Sequence, residues 1–320
     1  MKSEKRILII TLNYLGDVLM TIPLVYNLKK KDPNCSIFIS AGKKSRGLKS
    51  IIKNVDRWFF RSGNINIFTN YKHIKNLKKY KYDKIILIRN AKFTHKIAKS
   101  MKTKQVIGVE KPLINNLDIT VVNRPQKKNH ITDNTKYITN YLGIEHFEYK
   151  INFKNLSCNK TNKKYIIFSP GTTRKAKMWP LTKWFHLGEK LNEKHNYKIY
   201  IVGSKKDRYL SNDFKKAKFK FTDLIGKTDL KQLYCYLKNA ELIVTVDNGT
   251  MHLGDLTDTP VISLFGSTDP SIIGPKSENS YVIESPISCK YCGKNKCKND
   301  KFCMEKIDEN RVFELLQKLL

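Results

Sequence analysis

One stretch, Glu241 to Pro275 (ELIVTVDNGTMHLGDLTDTPVISLFGSTDPSIIGP), restricts the fold more than any other part of the chain. Glu241–Val246 is a β-branched apolar run suited to a buried strand. Asp247-Asn248-Gly249 breaks it with turn residues, and Thr250–Leu256 has room for one short helix before Pro260. Val261–Phe265 is a second apolar strand, closed by the turn Gly266-Ser267-Thr268-Asp269-Pro270. Strand, helix, strand in so few residues predicts a parallel α/β sheet. Ligands of such sheets bind outside the carboxyl ends of the strands, where both polar turns fall. The first turn also opens a helix, whose free N–H groups favour a phosphate. The same residues equally suit an ordinary βαβ turn with an Asx cap.

The same cycle recurs along the chain. Arg6–Leu12 reads as a strand and Val18–Lys31 as a helix with Val18, Ile22, Val25 and Leu28 inward. Pro23 falls in that helix's early turns, where proline is best tolerated. Ser36–Ser40, Lys84–Ile88 and Gln105–Val109 read as further strands, and His130–Gly143 as an amphipathic helix. Lys150–Lys164 carries no apolar period and is the expected linker, which divides the chain into domains 1–155 and 156–320. A second α/β cycle follows, with strands Tyr165–Ser169 and Lys198–Val202 and helices Leu181–His195 and Leu230–Lys238. Asp308–Leu320 closes the chain as a helix striped by Val312, Leu315, Leu316 and Leu319. No short-period repeat is present.

At 320 residues two domains are expected, and 40% apolar content with 16 Tyr and 15 Phe suffices for their cores. The formal charge of +33 implies attraction to polyanions: nucleic acid, an anionic membrane or a phosphorylated substrate. The lysines are spread along the chain rather than gathered in one patch, and no nucleic-acid-binding motif appears, which argues against nucleic acid. No run approaches the roughly 18 apolar residues of a membrane span. The N-terminal run is short, is followed by Asn13 and Asp17, and has no cleavage site of signal-peptide type, so a first strand and a cytoplasmic protein are expected. Seven cysteines, three of them scattered, do not suggest a secreted disulfide scaffold.

Three places could carry chemistry. Asp17 follows the first strand at the start of a helix, where it is either a carboxylate stabilised by the helix dipole or a general base at the mouth of the sheet. His130 precedes its helix and suits a capping or core role. The loop Gly171–Pro180 offers Thr172 and Thr173 hydroxyls, a glycine for close backbone approach, and the charges of Arg174, Lys175 and Lys177. It lacks Walker spacing and could equally be a solvated basic loop.

Taken together, four segments resemble glycosyltransferase family 9, the bacterial ADP-heptose:lipopolysaccharide heptosyltransferases. They are RILIITLNYLGDVLMTIPLVYNL, PGTTRKAKMWPLTKWFHLGEKL, VTVDNGTMHLGDLTDTPVISLFGSTDP and the cysteine-bearing CKYCGKNKCKNDKFCMEKI, spanning residues 6 to about 307. The resemblance implies the GT-B architecture, two Rossmann-like domains facing across a cleft, with the acceptor on the N-terminal domain and the nucleotide-sugar on the C-terminal one. It implies an inverting transfer with no metal and no cofactor, at the cytoplasmic face of the inner membrane. Asp17 then matches the family's base. Lys177, Thr172 and Thr173 match residues that hold the diphosphate. Asp247, Gly249 and His252, with Asn248 beside them, match residues gripping donor phosphates and sugar, and Asp207 is a looser match to a ribose contact. The implied partners are an ADP-heptose donor and a phosphorylated glycolipid acceptor. Asn248, Thr250 and Asp255 depart from the usual pattern, which leaves open another nucleotide-sugar or another surface glycan. A non-catalytic nucleotide-sugar-binding protein is a further alternative.

Cys289, Cys292, Cys297 and Cys303 are spaced by two, four and five residues. Four thiols this close could bind structural zinc, or could pair or pack as thiols.

Overall fold

The computed structural model describes residues 5–62, 67–122, 130–159, 164–195, 197–295, 297 and 303–320. Residues 160–163 of the expected linker, and 296 and 298–302 of the cysteine tail, lie outside that set. The chain divides into two compact units, Met1–Asn155 and Leu156–Leu320.

In the first unit, β1 (Arg6–Ile10), β2 (Ser36–Gly42), β3 (Arg57–Arg61), β4 (Lys84–Leu87), β5 (Gln105–Gly108) and β6 (Thr120–Val121) form one sheet in the order β3-β2-β1-β4-β5-β6. Every pairing is parallel. The inner strands are covered on both faces, which is why they read as continuous apolar runs such as RILII and KIIL. Leu8, Ile10, Phe38, Ile85, Leu87 and Ile97 share one core.

The single helix expected over Val18–Lys31 is two helices, Leu15–Leu19 and Ile22–Lys31. Pro23 has no N–H to continue the first helix, so it takes the second position of a new one. At the break the Thr21 hydroxyl donates to the Asp17 carbonyl at 2.8 Å. The expected inward residues Val18, Ile22, Val25 and Leu28 are all buried. His130 is the N-cap of helix Ile131–Tyr141, its ring accepting from the Thr132 N–H, as its position suggested.

In the second unit, β7 (Tyr165–Ser169), β8 (Lys198–Ile201), β9 (Phe221–Asp223), β10 (Leu242–Val246), β11 (Val261–Phe265) and β12 (Ser280–Glu284) form the sheet β12-β11-β10-β7-β8-β9. This sheet is also parallel throughout. Counted within each unit, both sheets have the doubly wound strand order, with the switch point between their first and fourth strands. β7, β10 and β11 are buried at every residue. Helix Leu181–His195 sends Trp184, Leu187 and Leu191 into the core beneath them. Helix Glu309–Leu319 packs on that helix, capped by Asp308 and tied by Lys183–Glu309 at 3.0 Å. Of the three scattered cysteines, Cys158 and Cys235 are joined by a disulfide; a separation of 77 residues hides that pairing from the sequence.

Candidate functional site

The second unit gathers its polar side chains at the carboxyl ends of β7, β10 and β11. Asp247 follows β10 directly and is 4% exposed. Its Oδ2 accepts from Lys177 Nζ at 2.9 Å and from the Thr268 hydroxyl at 2.8 Å. Its carbonyl accepts from Lys177 Nζ at 3.2 Å and from the Thr172 hydroxyl at 3.1 Å. Lys177 ends a short 3-10 turn, Lys175–Lys177, in the loop after β7. Three loops from three strands thus meet on one carboxylate, which holds the lysine's charge in place.

Asn248 does structural work there. Its Oδ1 accepts from the Met251 N–H and caps helix Gly249–Gly254, while Nδ2 donates to the Ser169 carbonyl, the Ser169 hydroxyl and the Gly171 carbonyl. The side chain bolts the turn after β10 to the end of β7. Gly249 opens that helix and is half-buried, and His252 is buried on it. Asp255, which interrupts the expected small apolar run, accepts from the Lys276 and Ser277 N–H groups and the Ser280 hydroxyl, anchoring the start of β12. Thr173 is exposed on the loop. Asp207 lies after β8, its Oδ2 accepting from the Ser204 N–H at 2.7 Å and the Ser204 hydroxyl at 2.6 Å. A Cβ at Gly171 would stand 2.6 Å from the Asp207 carboxyl carbon, so a side chain at 171 would push that carboxylate aside.

In the first unit the switch point lies between β1 and β4. Asp17 sits in helix Leu15–Leu19 just after β1. One carboxylate oxygen accepts from the Tyr14 N–H at 3.3 Å, and the other from Arg89 at 3.1 Å. Arg89 follows β4 and is 42% exposed, against 11% for Asp17. Below this pair lies Arg61, the last residue of β3. It donates to the Thr11 carbonyl, to the Ser40 carbonyl and hydroxyl, and to Asn13 Oδ1, and covers the Phe93 ring at 4.8 Å. Burial draws the Arg61 guanidinium down to about 10, with the Asp17 charge acting in the opposite sense, so it stays cationic at neutral pH. His73 bonds the Ser40 hydroxyl at 2.9 Å. Burial, aided by the Arg61 charge, pulls His73 down to about 4, which keeps it neutral.

The second-unit cluster presents a lysine and hydroxyls at the mouth of a sheet, the donor set for an anionic leaving group. The first-unit cluster presents a carboxylate oxygen bonded to an exposed cation, an arrangement suited to accepting a proton. Sequence reasoning assigned no role to Arg61, Arg89 or Thr268. Arg89 and Thr268 do lie at the carboxyl ends of strands, the one positional signal that points to them.

The match to the profile of "Glycosyltransferase family 9 (heptosyltransferase)" covers residues 70–303. The Asp17 segment precedes it, but whole-chain relatives include that segment. A Campylobacter jejuni lipooligosaccharide heptosyltransferase 2 is 25% identical, with 96% of each chain covered. Among solved structures, a glycosyl transferase family 9 protein of Veillonella parvula superposes with a TM-score of 0.83 at 20% identity, covering 100% of this chain and 98% of that one. An ADP-heptose LPS heptosyltransferase II of E. coli superposes at 0.78 and 21% identity, covering 98% of each. These likenesses show the GT-B fold class expected from the sequence. Twin doubly wound sheets, that fold, and a profile match over most of its length lead to one assignment: the chain belongs to glycosyltransferase family 9, the heptosyltransferases.

Proposed function

We propose that the chain transfers a heptose from ADP-heptose to a hydroxyl of a lipopolysaccharide core acceptor, with inversion. The observation that carries this reading is the Lys177–Asp247–Thr268 cluster at the switch point of the second sheet. In the proposed step the acceptor oxygen attacks the anomeric carbon, and the bond from that carbon to the diphosphate oxygen breaks. The acceptor proton passes to Asp17 and then to water. Negative charge develops on the departing ADP and is met by Lys177, Thr172 and Thr173. Asp247 orients Lys177 rather than touching phosphate, since two anions repel. Gly249 and His252 contribute backbone and shape, Asn248 holds the two turns together, and Asp207 lies beside Gly171 where a nucleoside would rest.

The first unit takes the acceptor in this reading, and the second the nucleotide-sugar. An anionic acceptor is supported by Arg89 beside Asp17 and by Lys44 stacked 4.5 Å from the Tyr14 ring. Among the described residues no helix is long and apolar enough to cross a membrane. The +33 charge would draw the protein to an anionic lipid surface that displays such an acceptor.

The test is to incubate the protein with ADP-heptose and truncated lipopolysaccharide acceptors and weigh the products. A mass gain of one heptose is expected. Gain only from another nucleotide-sugar would replace the donor, and no gain from any donor would leave a binding protein.

A further inference from the structure

Lysine is spread along the chain, but acid is not. Residues 57–109 hold fourteen Lys and Arg and one acid, Asp83, whereas elsewhere there is more than one acid for every two bases. That block includes helices Ile67–Leu77 and Lys92–Ser100, the crossovers that lead into β4 and β5. Both helices cover one face of the first sheet, because Leu77 of the one and Ile97 and Ala98 of the other join the core of Leu8, Ile10 and Ile85. With Ile74 and Leu77 inward on the first helix, and Phe93 and Ile97 on the second, the helical period sends other positions out to solvent. Those positions are Lys72, Lys75 and Lys79, on or just past the first helix, and Lys92, Lys96 and Lys99 on the second. All six are exposed.

Among the described residues none of the six lysines is in an ion pair, and Lys99 donates to the Asn115 carbonyl at 3.0 Å. Asp83, the one acid of the block, accepts from the Arg6 N–H at 2.9 Å, at the start of the sheet. Helix Ile22–Lys31, which has no residue in that core, differs: Lys29 pairs with Asp56 at 3.1 Å and Lys30 with Glu148. Surfaces that face only water usually intersperse both signs, since like charges on one face repel. Tyr71 adds a second signal. It is 66% exposed, one residue before Lys72 and one helical turn before Lys75. A ring with a polar tip among lysines suits a headgroup layer, which the ring enters while the ammonium groups stay at the phosphates. One ring is not the row of stacking platforms that single-stranded nucleic acid uses.

We propose that this two-helix lysine face docks the first unit on an anionic phospholipid bilayer. Clusters of about four to eight basic side chains attract such surfaces, within roughly one Debye length of the headgroups. The proposal deepens the proposed function, on which the membrane-borne acceptor rests; the docking itself needs only the charge and the exposed ring. Lys92 follows Arg89 by three residues, so at most about 11 Å of chain separates the face from the Asp17–Arg89 pair. A bilayer held by the lysines presents a lipid-anchored acceptor at that end of the sheet.

The full chain is sedimented with vesicles of phosphatidylcholine alone, or of phosphatidylcholine mixed with phosphatidylglycerol, at low salt. Binding to the mixed vesicles alone is expected, with release as salt rises. The triple variant Lys72→Gln/Lys75→Gln/Lys96→Gln should bind them roughly 100-fold more weakly, at about fivefold per lysine. Lys216→Gln/Lys218→Gln/Lys231→Gln removes the same charge from exposed sites of the second unit and should stay within about twofold of the unmodified chain. The indole of Tyr71→Trp should shift its fluorescence to the blue on mixed vesicles. Equal weakening in the two triple variants, binding to phosphatidylcholine alone, or an unshifted indole would overturn the face. So would tighter retention of a single-stranded oligonucleotide at the same salt, lost in the Lys72/Lys75/Lys96 variant, which would assign the face to nucleic acid. Transfer to a soluble truncated acceptor should be unchanged in both triple variants. Vesicle binding without any transfer would leave the face standing and remove the proposed function, and transfer without vesicle binding would do the reverse.

Discussion

The two sheets share one strand order, and at the same switch point each holds one acid–base pair, but the pairs differ in arrangement and in depth. In the first unit the loop after the first strand gives a carboxylate, Asp17, and the loop after the fourth gives Arg89. In the second unit the loop after the first strand gives Lys177, and the loop after the fourth gives Asp247. The second pair is locked: side-chain exposures are 12% and 6%, and Thr268 and Thr172 bond Asp247 as well. The first pair is loose, with Arg89 reaching Asp17 from solvent through one bond. A locked pair suits a preorganised anion cradle, which must not reorganise as charge develops. A loose pair suits a group that must exchange its partner for a proton. One topology thus carries two jobs, separated by how deeply each pair is set.

Several changes would break or sharpen that contrast. The largest effect is expected for Asp17→Asn. Transfer should fall on the order of 10²–10⁴-fold with folding intact, checked by initial rates and circular dichroism. Next is Lys177→Met, which strands the Asp247 carboxylate in a buried place. A loss of about 3–4 kcal/mol is expected in denaturant unfolding. Adding Asp247→Asn should restore part of that stability and none of the activity, because it removes the stranded charge but not the missing cation.

His73 reports on the buried cation under the first pair. Folded, it takes its proton near 4, and its ordinary value is 6.5. Between those values the unfolded chain binds the extra proton, so stability present above pH 6.5 is lost as pH falls toward 4. The full window corresponds to about 3 kcal/mol. His73→Gln should unfold with a flatter pH dependence across it, measured by denaturant midpoints at stepped pH. The smallest effect on stability is expected for Arg89→Gln. An exposed ion pair contributes at most about 1 kcal/mol, so the melting temperature should barely move. The Michaelis constant for an anionic acceptor should rise, and equal values in the two proteins would remove Arg89 from acceptor binding.

Much of the fold was legible because buried parallel strands leave continuous apolar runs. β7 and β11 and the helices Leu181–His195 and Leu230–Lys238 have the bounds read from sequence. β3 was missed because RWFFR sets arginine at both ends of an aromatic run, and Arg61 is buried only through its bonds to Thr11, Ser40 and Asn13. The helix break at Thr21 was missed because a proline early in a helix reads alike whether it continues one helix or begins another. At the site, Asp17, Thr172, Lys177 and Asp247 stood out as polar residues in turns after strands. Their partners did not. Arg89 is 72 residues from Asp17, and Thr268 is 21 from Asp247. Asn248 shows the converse: its position suggested a ligand contact, and distant Ser169 and Gly171 occupy its amide.

The central claim is the division of labour between the two pairs, and ADP affinity measured on two variants side by side tests it most directly. Asp17→Asn should bind ADP as the unmodified protein does. Lys177→Met should bind it about 10–100-fold more weakly, the loss of one charge-assisted contact. Equal weakening in both, or none in Lys177→Met, would contradict the account.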